Sequence, residues 1–105
     1  MRYERKYGLE LESLFRKAAK SPKFLHEFLE DLLTRAEYKD LALRWQIVKM
    51  LERGLPQRDI AKRLKISVAT VTRGSKEMVN KRGGFHSMLN KYYKSLKAKH
   101  YKTAR

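Results

Sequence analysis

Residues 57–73, QRDIAKRLKISVATVTR, decide the fold. A helix-turn-helix needs a small residue where its two helices cross, and Ala61 supplies one. Apolar residues that would pack the two helices together follow at suitable intervals: Ile60, Leu64, Ile66 and Val71. The turn residue four positions after Ala61 is often glycine; here it is Lys65, which must accept a strained backbone. The segment predicts a helix-turn-helix, and an ordinary pair of antiparallel helices with a basic surface is the alternative.

The side chains that remain outside this packing are small, polar or basic, which suits a recognition helix whose first turn lies close to base edges. They are Gln57, Arg58, Lys62, Ser67, Ala69, Thr70 and Thr72. Ser67 is a good N-cap for the second helix, which we expect to run from Val68 to about Val79.

Helical periodicity and start signals extend over most of the remaining chain. The pattern predicts a first amphipathic helix over 7–18 and a second that begins at Ser21-Pro22, an N-cap followed by proline. A capping box, Thr34 to Glu37, opens a central and heavily buried helix that ends near Gly54. After a loop at 80–84, a last helix carries Phe85, Met88, Leu89, Tyr92, Tyr93 and Leu96, and a frayed tail is expected over 97–105.

These elements predict an all-α protein of six helices whose wide apolar stripes exceed what 105 residues can cover alone. An intertwined homodimer that shares its N-terminal helices would bury them. We expect one domain, residues 1–105, with dimerisation helices over 1–54, the helix-turn-helix over 55–79, and a C-terminal helix with a basic tail over 80–105.

The charge of the chain predicts a polyanionic partner. There are 26 basic and 11 acidic residues, a formal net charge of +15, and the stretch 78–105 has eight basic residues and no acidic one. No cysteine is present, so disulfides, thiolate zinc sites and cysteine nucleophiles are excluded. The three histidines lack metal-ligand spacing, no catalytic motif is found, and we expect neither a metal nor an enzyme. No apolar run suggests a signal peptide or a membrane span, so a cytoplasmic protein is expected.

From about Phe24 to Glu77 the sequence resembles the Trp repressor family. The resemblance is carried by the strings LT at 33–34, RWQIV at 44–48, QR at 57–58 and above all ATVTRGS at 69–75, together with Gly54. It implies an intertwined helical dimer that binds double-stranded operator DNA when loaded with L-tryptophan as corepressor. It also implies that Gln57, Arg58, Val68, Ala69, Thr70 and Thr72 face DNA.

The same resemblance implies a set of ligand contacts. Arg44 and Arg73 match the two arginines whose guanidinium groups stack on the indole ring. Thr34 and Arg73 match positions that hold the ligand carboxylate, and Gly74 matches a glycine that leaves room for the ring edge. The backbone carbonyls of Asp31 and Leu33 match those that face the ligand amino group.

Two positions depart from the family pattern, and they leave the nature of the effector open. Glu77 replaces a serine near the ligand amino group, where a carboxylate could pair with an ammonium or change the ligand. Asp31 replaces a leucine, which matters little where only the carbonyl is used. Ligand-independent DNA binding by the same fold is one alternative function. Binding to RNA or to an anionic membrane surface through the basic C-terminal stretch is another.

Overall fold

A computed structural model describes residues 4–78 and 83–100, except for the side chains of Glu77 and of residues 95–100. In this part of the chain there are six α-helices and no strand, as predicted. They are α1 (Arg5–Ala18), α2 (Pro22–Leu32), α3 (Arg35–Glu52), α4 (Gln57–Leu64), α5 (Val68–Glu77) and α6 (Gly84–His100). The chain divides into two compact units, an N-terminal unit that ends at Leu41 and a C-terminal unit that begins at Ala42.

The N-terminal unit is a pair of helices, α1 and α2, followed by the start of α3. Ser21 caps α2, because its Oγ accepts a hydrogen bond from the N–H of Phe24 at 3.2 Å, and Pro22 is the first helical residue. The rings of Phe15 and Phe28 meet edge to face with centroids 5.7 Å apart, which packs α1 on α2. Among the described residues of this unit, only Ala18 is fully buried.

Helix α3 begins and ends at the signals that the sequence contains. The Thr34 N–H donates to Glu37 Oε1 at 2.9 Å and the Glu37 N–H donates to Thr34 Oγ1 at 3.1 Å, a reciprocal capping box. At the other end Gly54 adopts a φ of +83°, and the N–H of Leu55 reaches back to the carbonyl of Met50 at 3.1 Å.

The prediction that α3 is heavily buried is correct for only part of the helix. Ile47 and Val48 are buried, whereas Leu41 is 46% exposed in the single chain. The exposed part of α3 lies toward its N-terminal end, where residues 35–42 are all exposed in the single chain.

The core of the C-terminal unit joins α3, α4 and α5. It consists of Ile47, Ile60, Ala61 and Val71, with five half-buried residues packed around it: Met50, Leu51, Leu55, Leu64 and Ile66. Helix α6 joins this unit through aromatic contacts. Trp45 meets Tyr92 edge to face at 5.8 Å, and Tyr92 meets Tyr93 at 5.3 Å. Tyr92 therefore packs α6 against α3, whereas the contact between Tyr92 and Tyr93 lies within α6 itself.

Several helix boundaries differ from those predicted. Helix α1 begins at Arg5 rather than at residue 7, and α6 begins at Gly84, which the sequence places in a loop. Helix α5 ends at Glu77, and Val79 and the predicted loop residues 80–82 lie outside the described residues. Helix α6 continues to His100, so the prediction that the chain frays from Lys97 onward is wrong for residues 97–100. Residues 101–105 of that tail lie outside the described part of the chain.

Candidate nucleic-acid interface and ligand contacts

The turn between α4 and α5 has the geometry that the sequence requires. Lys65 caps α4 in the left-handed region, with φ +58° and ψ +47°. Its N–H donates to the carbonyl of Ala61, and the N–H of Ile66 donates to the same carbonyl at 3.0 Å. Ala61 is buried, so a small residue does lie where the helices meet. The predicted strain at Lys65 is confirmed.

The first turn of α5 is held by a local hydrogen-bond network. Ser67 Oγ accepts from the Thr70 N–H at 3.1 Å, and the two side-chain hydroxyls are 2.9 Å apart. The network leaves Val68 and Ala69 exposed at the start of the helix, and Val68 is 47% exposed. An exposed apolar side chain at this position suits contact with a thymine methyl group in the major groove.

The side chains predicted to face DNA are at the surface of α4 and α5. Most are exposed, namely Arg58, Lys62, Ser67, Val68, Ala69 and Thr72, and two are half-buried, Gln57 and Thr70. One contact within the set was not foreseen. Thr72 Oγ1 of α5 lies 2.8 Å from Gln57 Oε1 of α4, which ties the two helices together across 15 residues of sequence.

Two helices that cross at a small buried residue, under a surface of small, polar and basic side chains, define a DNA-binding helix-turn-helix protein. Residues 57–77 carry six basic and two acidic residues on this surface and its flanks, and the whole chain has a net charge of +15. That charge provides the attraction to phosphates which any DNA-binding surface needs.

Four of the predicted ligand contacts lie in the C-terminal unit, namely Arg44, Arg73, Gly74 and Glu77. Arg44 on α3 and Arg73 on α5 are both exposed, and Arg73 Nη2 lies 3.5 Å from Thr70 Oγ1. Gly74 is buried, and a Cβ built on it would lie 2.9 Å from Ile47 Cγ2. The glycine is therefore required by the packing of α5 on α3, a role that sequence reasoning missed.

The other contacts that the structure describes lie in the N-terminal unit. Thr34 Oγ1 accepts the capping bond from Glu37, which leaves the hydroxyl hydrogen available for donation to a carboxylate. Asp31 is in the last turn of α2 and Leu33 is its C-cap, where carbonyls have no partner within the helix and carry partial negative charge. Such carbonyls suit an ammonium group. The side chain of Glu77 lies outside the described residues.

The two histidines whose side chains are described, His26 and His86, each contact another group of the chain. His86 Nε2 is 2.8 Å from the Met78 carbonyl, a contact that joins the start of α6 to the end of α5. His26 Nε2 is 3.4 Å from Glu30 Oε2 on an exposed helix face. Across the described residues there is no group of three or more side chains suited to a metal ion. None of the described helices is both long and apolar enough to cross a membrane.

Comparison with known proteins extends this assignment. The pattern of the family described as Trp repressor protein matches residues 10–93. A Trp operon repressor homolog of Chlamydia trachomatis serovar L2 is 37% identical over 70 residues, which cover 66% of this chain and 74% of that protein. Homologs of the same name from Haemophilus influenzae Rd and Actinobacillus succinogenes are 48% and 50% identical over 50 residues, 47% of this chain and 50% of each protein. No solved structure matches the chain.

This chain belongs to the Trp repressor family. Members of the family are DNA-binding transcription regulators that use tryptophan as corepressor, and they are not enzymes. The resemblance seen in the sequence is thereby confirmed.

Proposed function

We propose that this chain represses transcription in the cytoplasm by binding operator DNA as a homodimer, with L-tryptophan as its corepressor. The observation that carries the proposal is the first turn of α5. This turn is capped by Ser67 and exposes Val68 and Ala69, and α5 packs on α4 through a buried core. The chain that carries it is a member of the Trp repressor family.

In the proposed DNA complex, the N-terminal end of α5 enters the major groove and α4 crosses the phosphate backbone, as in helix-turn-helix proteins of this family. Val68, Ala69 and Thr70 are then the side chains nearest to base edges. Arg58 and Lys62, both exposed on α4, contribute mainly phosphate contacts.

The proposed corepressor contacts follow the family pattern residue by residue. Planar guanidinium groups stack well on aromatic faces, which suits Arg44 and Arg73 to an indole ring. Arg73 and the Thr34 hydroxyl would hold the carboxylate, and the carbonyls of Asp31 and Leu33 would face the ammonium. The remaining proposed contacts are Gly74 and Glu77.

Ligand binding by Arg73 provides a physical route to control of DNA binding. Arg73 lies on the recognition helix α5, one turn from the DNA-facing Thr70. A ligand that prefers the DNA-binding orientation of α5 increases the population of that orientation. The affinity of the protein for DNA then rises in proportion to this population.

The proposed homodimer is supported by the exposed apolar face of the N-terminal unit. Tyr7, Leu11 and Leu14 fall on one side of α1 and are 50%, 37% and 40% exposed in the single chain. A self-complementary interface between two such faces would remove this apolar surface from water. Light scattering at micromolar concentration should show a dimer, and a monomer would contradict the proposal.

Calorimetry with L-tryptophan, indole and the other amino acids tests the corepressor. We expect Arg73→Ala to abolish L-tryptophan binding and the ligand-dependent part of DNA binding together, while the weak, salt-sensitive DNA binding remains. Lys76→Ala is the matched control, because Lys76 is an exposed basic residue on the same helix outside the proposed contacts. If the unaltered protein binds operator DNA equally well with and without every indole compound, ligand-independent binding by the same fold replaces this proposal.

Substitution of Glu77 identifies its role. If its carboxylate pairs with the ligand ammonium, Glu77→Gln should weaken L-tryptophan binding by about 1–3 kcal/mol, the cost of a lost charge-assisted bond. Tighter binding by Glu77→Ser would show instead that the carboxylate is an obstacle and that the effector is a different molecule.

The salt dependence of DNA affinity tests the phosphate contacts. Arg58→Ala should weaken all duplex sequences about equally and reduce the slope of log K against log salt by about one. Arg63→Ala, which removes an exposed charge of α4 outside the proposed set, should leave the slope nearer to that of the unaltered protein. Equal or tighter binding to RNA or to anionic vesicles would contradict the proposed partner.

A further inference from the structure

The hydroxyl of Thr72 lies between two oxygen atoms. Its Oγ1 is 2.8 Å from Gln57 Oε1 and 3.0 Å from the Val68 carbonyl oxygen. A threonine hydroxyl has a single hydrogen, so only one of these oxygens accepts it fully at a time.

The shorter contact and the needs of the two acceptors favour Gln57. The Val68 carbonyl belongs to the first turn of α5, where it also accepts from the backbone N–H four residues further on. Gln57 Oε1 has no such partner in the helix ladder. When Thr72 donates to Oε1, the amide nitrogen of Gln57 is directed away from Thr72, with both of its hydrogens free to donate.

The location of this contact indicates what the free NH₂ group of Gln57 can bind. Gln57 is the first residue of α4 and precedes the exposed Arg58, which we have proposed as a phosphate contact. The buried pair Ile60 and Val71 fixes α4 against α5 beneath it. The amide therefore lies on the side of the molecule that faces DNA, where phosphate oxygens are the acceptors at hand.

We propose that Thr72 is a positioning residue for DNA binding: its hydroxyl orients the Gln57 amide so that the NH₂ group donates to a DNA phosphate. Thr72 acts through Gln57, and the contact is independent of base sequence. This inference rests on the proposed function, since it needs α4 and α5 to face DNA.

A double-mutant cycle on the full chain tests the proposal. The probe is a fixed 30-base-pair duplex of mixed sequence, titrated by fluorescence anisotropy with and without L-tryptophan. Thr72→Val keeps the shape and branching of the side chain and removes the donor, and Gln57→Met keeps the length and removes the amide. Each should weaken binding by about 2- to 10-fold per subunit, the range for one hydrogen bond. The double variant should be no weaker than Gln57→Met alone, because the two residues form one contact.

Two further measurements separate positioning from a purely structural role. Thr72→Ser retains the donor and should bind within about 2-fold of the unaltered protein. The slope of log K against log salt should be unchanged in Thr72→Val and Gln57→Met, because a neutral amide displaces no counterion, in contrast to Arg58→Ala.

Particular outcomes would overturn the inference. Loss of affinity in the double variant equal to the product of the two single losses would mean that Thr72 contacts DNA by itself. Full affinity in Thr72→Val would mean that the contact has no role in binding. Failure of the unaltered protein to bind any duplex would instead overturn the proposed function.

Discussion

The two units of this chain bury apolar side chains to very different extents. In the C-terminal unit Ile60, Val71 and Val48 are fully buried. In the N-terminal unit only Ala18 is buried among the described residues, and this unit holds eight of the ten large apolar residues that are exposed in the described part of the chain. The unit that carries the helix-turn-helix thus has a core of its own, whereas the unit of α1 and α2 presents apolar side chains to solvent in the single chain.

This difference indicates how the molecule divides its tasks. A helix pair that must hold the recognition helix at a fixed angle needs a core within the chain, and the cluster around Ile60 provides it. An apolar helix pair without such a core gains most of its stabilisation from a partner surface. The N-terminal unit is therefore the proposed site of dimerisation.

The largest expected effect comes from truncating the core. Ile60→Ala should lower the free energy of unfolding by about 2–5 kcal/mol, because the side chain is fully buried. Leu14→Ala removes a side chain of similar size that is 40% exposed in the single chain, and should cost less at low protein concentration. Urea unfolding at two protein concentrations measures the free-energy cost of both substitutions. A cost of Leu14→Ala that does not depend on concentration would contradict burial of α1 in a dimer.

Gly74→Ala tests the same core by adding side-chain volume, where Ile60→Ala removes it. Gly74→Ala should cost about 1–3 kcal/mol of unfolding free energy, because the new Cβ would lie 2.9 Å from the buried Ile47 Cγ2. Gly84→Ala is the matched control, since nothing lies within 4 Å of a Cβ at that position. The cost should fall in an Ile47→Ala background, and equal costs in both backgrounds would show that this contact is not the cause.

The two serine N-caps offer a matched comparison between the units. Ser67→Ala and Ser21→Ala each remove one side-chain bond to a backbone N–H and should each cost about 1 kcal/mol of unfolding free energy. Only Ser67→Ala should also weaken DNA binding, because only Ser67 orders the first turn of the recognition helix. An equal loss of DNA affinity in Ser21→Ala would contradict the division of tasks.

The smallest expected effect is a gain at the turn. Lys65→Gly should raise the free energy of unfolding by about 0.5 kcal/mol, the relief of a left-handed backbone less the flexibility that glycine adds to the unfolded chain. Lys65→Gln separates the loss of charge from the change of backbone and should be nearly neutral in thermal unfolding. A destabilised Lys65→Gly variant would show that the lysine side chain itself supports the turn.

Sequence alone determined the features that depend on short-range contacts. The caps at Ser21, Thr34 and Ser67 join residues three apart, so the residue types at that spacing predict them. Apolar periodicity identified the buried face of α4 and α5 in the same way. The family resemblance, carried chiefly by residues 69–75, indicated the function, and the ligand contacts drawn from it remain predictions.

Only the tertiary structure decided the contacts between residues far apart in the chain. Gln57 contacts Thr72, and the side chain of Ile47 packs against Gly74, because α3, α4 and α5 pack at particular angles and distances. The burial of α3 was overestimated at Leu41 for the same reason, because an apolar pattern specifies which face can be covered and not what covers it. Periodicity fixes the direction of a side chain from its own helix, whereas its partner depends on how several helices fit together in three dimensions.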